Sequence, residues 1–278
     1  MYKYDLVAID IDGTLLDSQN KVSSSVQPLF REVEASGTGI TLITGRPELT
    51  VAPLVRELGL TLPYVSSGGA QITDPATGEI IASFTLQREE VVALAELGRA
   101  FEAGLVAMET HCLYYEGSLE KLKLVHESVD IHLGSIEKIR TLVVPVDDVV
   151  QASPHPLKFT ISDLPSVLAR VETRLRTSGL PIYATYSSPV YLEVTNALAN
   201  KGTALQRLAQ HLNIPLERIL VIGDSPNDIS MFQMAGTAIA MGNAARAVKE
   251  AAHRVAPSND EEGVAWVLRE LVLNKSHA

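Results

Sequence analysis

The chain has 278 residues, 46% of them hydrophobic but only 5% aromatic, so it can bury an aliphatic core of helices on parallel strands, and its length suits two domains or one domain with a large insertion. Its 23 basic and 33 acidic residues leave a formal charge of −10, which argues against a nucleic-acid face or an anionic-membrane partner but not against a small anion at a local positive site. A single cysteine, Cys112, rules out an intramolecular disulfide framework and a cysteine-based zinc site.

No basic leader or apolar signal core precedes the first strand, and no apolar run is long enough for a bilayer. The cytoplasm is the expected address. Leu6-Val7-Ala8-Ile9 reads as a buried strand that runs into Asp10-Ile11-Asp12-Gly13-Thr14. A helix over Ser23–Ser36 follows, with Val26, Leu29, Phe30 and Val33 on one face, and then a second strand, Gly39–Thr44, ending at Gly45-Arg46-Pro47. The next helix carries Val51, Leu54, Val55 and Leu58. This rhythm predicts right-handed crossovers and a parallel sheet covered on both faces.

From Tyr64 to Phe84 short extended pieces around Gly68-Gly69 and the turn at Asp74-Pro75 read as a hairpin. The rhythm then breaks. Helices are expected over Arg88–Ala103, Gly117–Ser128 and Leu164–Ser178, and strands over Leu157–Ser162 and Ile182–Tyr186. None of these strands ends in acids. The sequence therefore predicts an α/β protein, a Rossmann-like parallel sheet core formed by 1–84 and 190–278 with an inserted α+β cap domain over 85–189. The first rhythm resumes with a strand at Val190–Val194, a helix opening at Lys201-Gly202 and the apolar strand Ile219–Gly223 running into Asp224. Helices over Pro226–Met234, Asn243–Ala252 and Asp260–Leu273, alternating with strands at Thr237–Met241 and Arg254–Ala256, complete the sheet domain.

In open parallel sheets, ligands bind beyond the carboxyl ends of the strands. Those ends here deliver Asp10 with Asp12, Thr44 and Asp224, a helix start delivers Lys201, and Asp228 lies on the loop after Asp224. Two carboxylates on one side of a strand repel each other unless a cation or a shared proton intervenes. Oxygen-only ligation is the chemistry of Mg²⁺, and a metal beside Lys201 would draw in a phosphate that Thr44 and adjacent backbone N–H groups orient. Asp10 becomes the candidate nucleophile, forming an aspartyl-phosphate, and Asp12 the candidate acid and base.

Asp10-Ile11-Asp12-Gly13-Thr14, Thr44-Gly45-Arg46, Lys201-Gly202 and Gly223-Asp224-Ser225-Pro226-Asn227-Asp228 resemble, in this order, the four motifs of the haloacid-dehalogenase-like (HAD) hydrolases. The insertion between the second and third motifs is similar to the large α/β (C2B-type) cap of the Cof-type sugar-phosphatase branch, and the segments 240–244 and 259–265 resemble that branch too. The resemblance implies that Mg²⁺ is held by the Asp10 side chain, the Asp12 backbone carbonyl and Asp224, with Asp228 in support. Phosphate is then bound by Thr44, Gly45, Lys201 and Asn227. An acid at Asp12 is absent from the dehalogenases and P-type ATPases of the superfamily, so the expected reaction is hydrolysis of a small phosphorylated metabolite, with sugar phosphates foremost.

Two departures from the branch stand out. Gly68-Gly69-Ala70 replaces the common Asn-Gly-Ala, and Asn196-Ala197-Leu198-Ala199-Asn200 lacks the usual Gly-Val pair. Neither touches the phosphoryl machinery. A phosphomutase shares Asp10 and Asp12, and a phospho-acceptor signalling domain also sets acids and a lysine around Mg²⁺, but a receiver's lysine ends a strand whereas Lys201 starts a helix. Arg46 could face substrate or pair with an acid. Nothing in the sequence fixes an oligomeric state.

Overall fold

The computed structural model describes residues 4–118 and 143–274. The chain opens with β1 (Leu6–Ile9), α1 (Val26–Ala35), β2 (Gly39–Leu42) and α2 (Glu48–Leu58), then folds β3 (Tyr64–Ser66), β4 (Gln71–Thr73) and β5 (Ile80–Ser83) into a small antiparallel sheet. A second region follows: α3 (Arg88–Ala100), β6 (Gly104–Met108), β7 (Leu113–Glu116), β8 (Val143–Pro145), the single turn α4 (Val149–Ala152), β9 (Lys158–Ser162), α5 (Pro165–Arg176), β10 (Ile182–Ser188) and β11 (Tyr191–Asn196). The chain then returns through α6 (Lys201–Leu212), β12 (Ile219–Gly223), α7 (Ile229–Phe232), β13 (Thr237–Ala240), α8 (Arg246–Ala251), β14 (Arg254–Val255) and α9 (Gly263–Val267).

The core sheet is parallel throughout, in the order β14-β13-β12-β1-β2, so the two strands that end in acids, β1 and β12, are central neighbours. Every residue of β1 is fully buried. Val7 and Ile9 enter a cluster under α1, α2 and α9, while Leu6 and Ala8 enter another under α6 and α7. Two covered faces explain an unbroken apolar run where a one-sided strand would alternate. Each fully buried Leu, Val or Ile side chain contributes roughly 1.5–3 kcal/mol.

The second sheet has six strands in the order β10-β11-β9-β6-β7-β8, antiparallel except between β7 and β8. Leu105, Phe159, Ile161, Leu192 and Val194 pack on its helix-covered face. Four findings depart from the sequence expectations. The strand expected to start the returning core, β11, hydrogen-bonds instead to β9 and β10 in the six-stranded sheet. Leu192 and Val194 pack under the helices of that sheet, but Glu193 and Thr195 on the opposite face are buried as well, so the pattern of the strand fits either sheet. Strands β6, β7 and β8 are additional to the expected elements: each has only three to five residues, too few for a periodicity of two to stand out.

The helix expected over Pro226–Met234 is a tight turn at Pro226–Asp228 followed by α7, and the one over Asp260–Leu273 is broken by the left-handed backbone of Glu262 at φ 57°. The helix expected over Gly117–Ser128 falls almost wholly outside the described residues.

Candidate active site

Strand pairing brings the motif residues together. Because β1 and β12 are in register from Leu6 opposite Ile219 to Ile9 opposite Ile222, their ends deliver Asp10 and Asp224 side by side. The backbone then turns through Gly13 at φ 71°, where any Cβ would lie 2.4 Å from Asp224 Oδ2, so only glycine fits between the two motifs. Thr14 Oγ1 donates to Asp224 Oδ1 at 3.0 Å, and Asn243 Nδ2 donates to the Gly13 carbonyl at 2.8 Å, fastening the turn from both sides.

Lys201 is the first residue of α6, whose cap is Asn200, with its Oδ1 accepting from the Thr203 amide at 3.0 Å. Gly202 lets this helix start press against α7: a Cβ there would sit 2.3 Å from the Ser230 carbonyl oxygen. The approach puts Lys201 Nζ at 2.6 Å from both Asp10 Oδ1 and Asp228 Oδ1. Asp228 spends its other oxygen on the backbone amides of Asp224 and Ser225, both at 2.9 Å. It is thus an organiser of the loop as much as a ligand.

Asp10, Asp224 and Asp228 each place an oxygen within 4.8 Å of the others. One ammonium faces three carboxyl groups. Burial pushes the Asp10 carboxyl well above the usual carboxylate range, against the pull of Lys201, with Asp228, Asp224 and Asp12 adding to the rise. Burial and the charge of Asp228 push Asp224 up to about 7. Burial works against the charge on Lys201, but Asp10 and Asp228 outweigh it and hold the ammonium above its ordinary value. An all-oxygen cluster with surplus negative charge suits a hard divalent cation, which would take the place of those protons. The residues therefore fit a metal ion.

Asp12 stands apart from this cluster. Its two carboxylate oxygens accept from Arg46 Nε at 2.9 Å and Nη2 at 2.7 Å, a bidentate pair that names the acid Arg46 engages. Asp10, Asp12, Gly45, Arg46, Asp224 and Asn227 all line one cavity of about 380 Å³. Thr44 lies behind that wall, fully buried, its hydroxyl accepting from the Arg46 amide at 3.1 Å. Lys201 faces an adjoining small pocket together with Asn227, whose Oδ1 accepts from Ser225 Oγ at 2.6 Å. All the residues expected from the sequence are thus gathered at one end of the core sheet.

Lys158 and Glu193, from the six-stranded sheet, line the same cavity. Nothing in the sequence singles out Lys158 among the polar residues of the inserted region. Glu193 carried no signal at all, being isolated in a strand assigned to the wrong sheet. Among the described residues no helix is long and apolar enough to cross a membrane.

The sequence profile of the haloacid dehalogenase-like hydrolases matches residues 7–268. The phosphatase YwpJ of Bacillus subtilis is 28% identical over 297 residues, covering 96% of this chain and 99% of that one. YitU of the same organism, a 5-amino-6-(5-phospho-D-ribitylamino)uracil phosphatase, is 26% identical over 272 residues, covering 95% and 96%. A solved haloacid dehalogenase-like hydrolase from B. subtilis superposes with a TM-score of 0.86 at 26% identity, covering 96% of this chain and 100% of that one. With the profile spanning nearly the whole length and the motif residues converging at one strand-end site, the chain belongs to the haloacid dehalogenase-like hydrolase family.

Proposed function

We propose that this chain, an enzyme of the phosphoric monoester hydrolase type, is a Mg²⁺-dependent phosphatase of small phosphorylated metabolites, sugar phosphates foremost, working through an aspartyl-phosphate on Asp10. The reading is carried by one contact set: Lys201 Nζ bridging Asp10 and Asp228 at 2.6 Å, beside Asp224 and at the edge of a cavity of metabolite size. YitU is named for a phosphorylated ribityl compound, which agrees with a small phosphate ester as substrate. We place the enzyme in the cytoplasm, the address that suits hydrolysis of small phosphorylated metabolites. We take the cap to comprise 85–196, seven residues longer than the sequence suggested, because β11 pairs within the cap sheet.

In this reading Asp10, Asp224 and Asp228 hold the cation, with the Asp12 backbone carbonyl. When bound, Mg²⁺ would suppress the repulsion between the carboxylates and an incoming phosphoryl group. Lys201 Nζ and the Gly45 and Asn227 side of the cavity hold the phosphoryl oxygens, with the Thr44 hydroxyl behind them. A carboxylate oxygen of Asp10 attacks phosphorus, a new P–O bond forms, and the ester P–O bond breaks. Asp12 gives a proton to the departing alkoxide and later takes one from the water that hydrolyses the aspartyl-phosphate.

Asp12 is ion-paired through both oxygens to Arg46, so it must loosen from the guanidinium to carry that proton. Arg46 therefore acts as its positioning residue. Replacing Asp10 by Asn should abolish Mg²⁺-dependent phosphate release from p-nitrophenyl phosphate. Turnover at the parent rate by that variant would overturn the assignment.

A further inference from the structure

The cavity has a second charged feature, contributed by the face of the cap sheet. Strand register sets Glu193 opposite Thr160, Thr160 opposite Val106, and Lys158 opposite Met108. Alternation sends Leu105, Ala107, Phe159, Ile161, Leu192 and Val194 to the helix-covered side, so the intervening residues occupy the opposite face, which forms the wall over the Gly45 loop. That face is lopsided: Val106, Met108 and Leu113 make an apolar edge, while Lys158, Thr160 and Glu193 make a polar one.

Lys158 Nζ donates to Glu193 Oε1 at 2.5 Å and to the carbonyl of Gly45 at 2.7 Å, tying cap to core across the phosphate loop. Lys158 is 2% exposed and Glu193 8%. The other carboxylate oxygen, Oε2, also faces that loop, since a methyl placed on Gly45 would lie 3.6 Å from it. Burying such a pair costs desolvation that an apolar pair of similar volume would avoid, so packing alone does not account for it.

Among the described residues, the cations around the cavity are already engaged: Arg46 by Asp12, Lys201 by Asp10 and Asp228, Lys158 by Glu193. They can serve one transferred phosphoryl group, and none of these three is left over to balance a second anion on the substrate.

Building on the phosphatase reading above, we propose that Glu193, held in place by Lys158, is a specificity-determining residue that accepts hydrogen bonds from hydroxyls of the leaving group. The preferred substrates are then monophosphates of neutral polyhydroxylated compounds. The Thr160 hydroxyl adds to the polar edge, and the apolar edge takes the carbon side of the polyol. An ester carrying a second anion meets Glu193 and the core carboxylates, while Arg46, Lys201 and Lys158 already face carboxylates of their own.

The test compares kcat/KM of the full chain in Mg²⁺ for a neutral panel (sorbitol 6-phosphate, ribitol 5-phosphate and glucose 6-phosphate), for 6-phosphogluconate, which adds a carboxylate, and for phenyl phosphate, which has no hydroxyl. The parent should favour its best neutral polyol over both other esters by about 10-fold or more, the worth of one to two hydrogen bonds to a charged group. Glu193→Gln should lower the ratio of best polyol to phenyl phosphate by about 10-fold, because a charge-assisted hydrogen bond is replaced by a neutral one.

Thr160→Val keeps shape and leaves the ion pair intact, and should lower the same ratio by about 3-fold, so it decides the matter if the Glu193 variant does not fold. Equal losses on both ester classes, an unchanged ratio in the folded variants, or a parent preference for 6-phosphogluconate overturns the proposal. Turnover of phenyl phosphate with no polyol preference overturns this assignment alone. A parent inert towards every ester overturns the phosphatase reading and this one with it.

Discussion

The core and the cap each contribute a buried lysine to the site, and they do so by different geometries. Lys201 sits at the start of a helix, among carboxylates delivered by the carboxyl ends of parallel strands. Lys158 sits on the flat face of an antiparallel sheet, paired with one glutamate of the strand next to it. Strand ends concentrate charge at a point, where helix N-termini and turns converge. A sheet face spreads its groups over several strands and grades from apolar to polar. The first arrangement suits one invariant phosphoryl group, and the second suits a variable leaving group. Substitutions at strand ends should therefore abolish the reaction, and those elsewhere should modulate it.

The sharpest break is expected at Asp10. Asp10→Asn removes the proposed nucleophile without changing its size, and steady-state phosphate release should fall by about 10⁴-fold or more. Lys201→Met should follow. It strands two buried carboxyl groups without the ammonium that bridges them, and urea unfolding in metal-free buffer should show a loss of about 3–5 kcal/mol. If Lys201→Met unfolds at the parent's midpoint, the core cluster is not held together as described.

Metal and pH sharpen the contrast further. The raised carboxyl of Asp224 keeps its proton in the folded chain where the unfolded chain has lost it. Its cost to folding is therefore nil below 3.8, grows as pH rises, and is complete above about 7, and raised Asp10 acts in the same direction. Metal-free stability should thus fall across that window. A divalent cation that replaces the protons should raise the melting temperature more at pH 8 than at pH 5. A thermal shift with Mg²⁺ that is equal at both pH values would contradict the cluster's role.

Arg46→Lys loses the two-pronged grip on Asp12 and should lower kcat/KM about 10-fold while leaving the fold intact, measured by steady-state kinetics beside a thermal melt. The smallest effect is expected far from the cavity. Arg176→Ala, which breaks an exposed pair with Glu172 one helical turn away in the cap, should change stability by less than about 0.5 kcal/mol in urea unfolding.

What could be read in advance follows from the same geometry. Asp10 and Asp224 were legible because an apolar strand that stops at an acid is a local pattern, visible in a dozen consecutive residues. Lys201 was legible only as one member of an ordered series. The destination of Arg46 was not, since either of two roles satisfies a guanidinium, and only folding brings Asp12 to it from 34 positions away. Strand β11 went to the wrong sheet for a related reason. Its residues fit either neighbour, and pairing with β9 and β10 is decided by which edge is within reach.

By itself the sequence determined the parallel core, the interruption after the second motif and the identity of the residues at the strand ends, because those depend on local periodicity and on the order of short motifs. Only the tertiary structure decided which carboxylate each cation meets, and that Lys158 and Glu193 face the Gly45 loop. Those contacts join residues 27 to 191 positions apart, and their partners are set by sheet register and burial, which no local stretch of chain encodes.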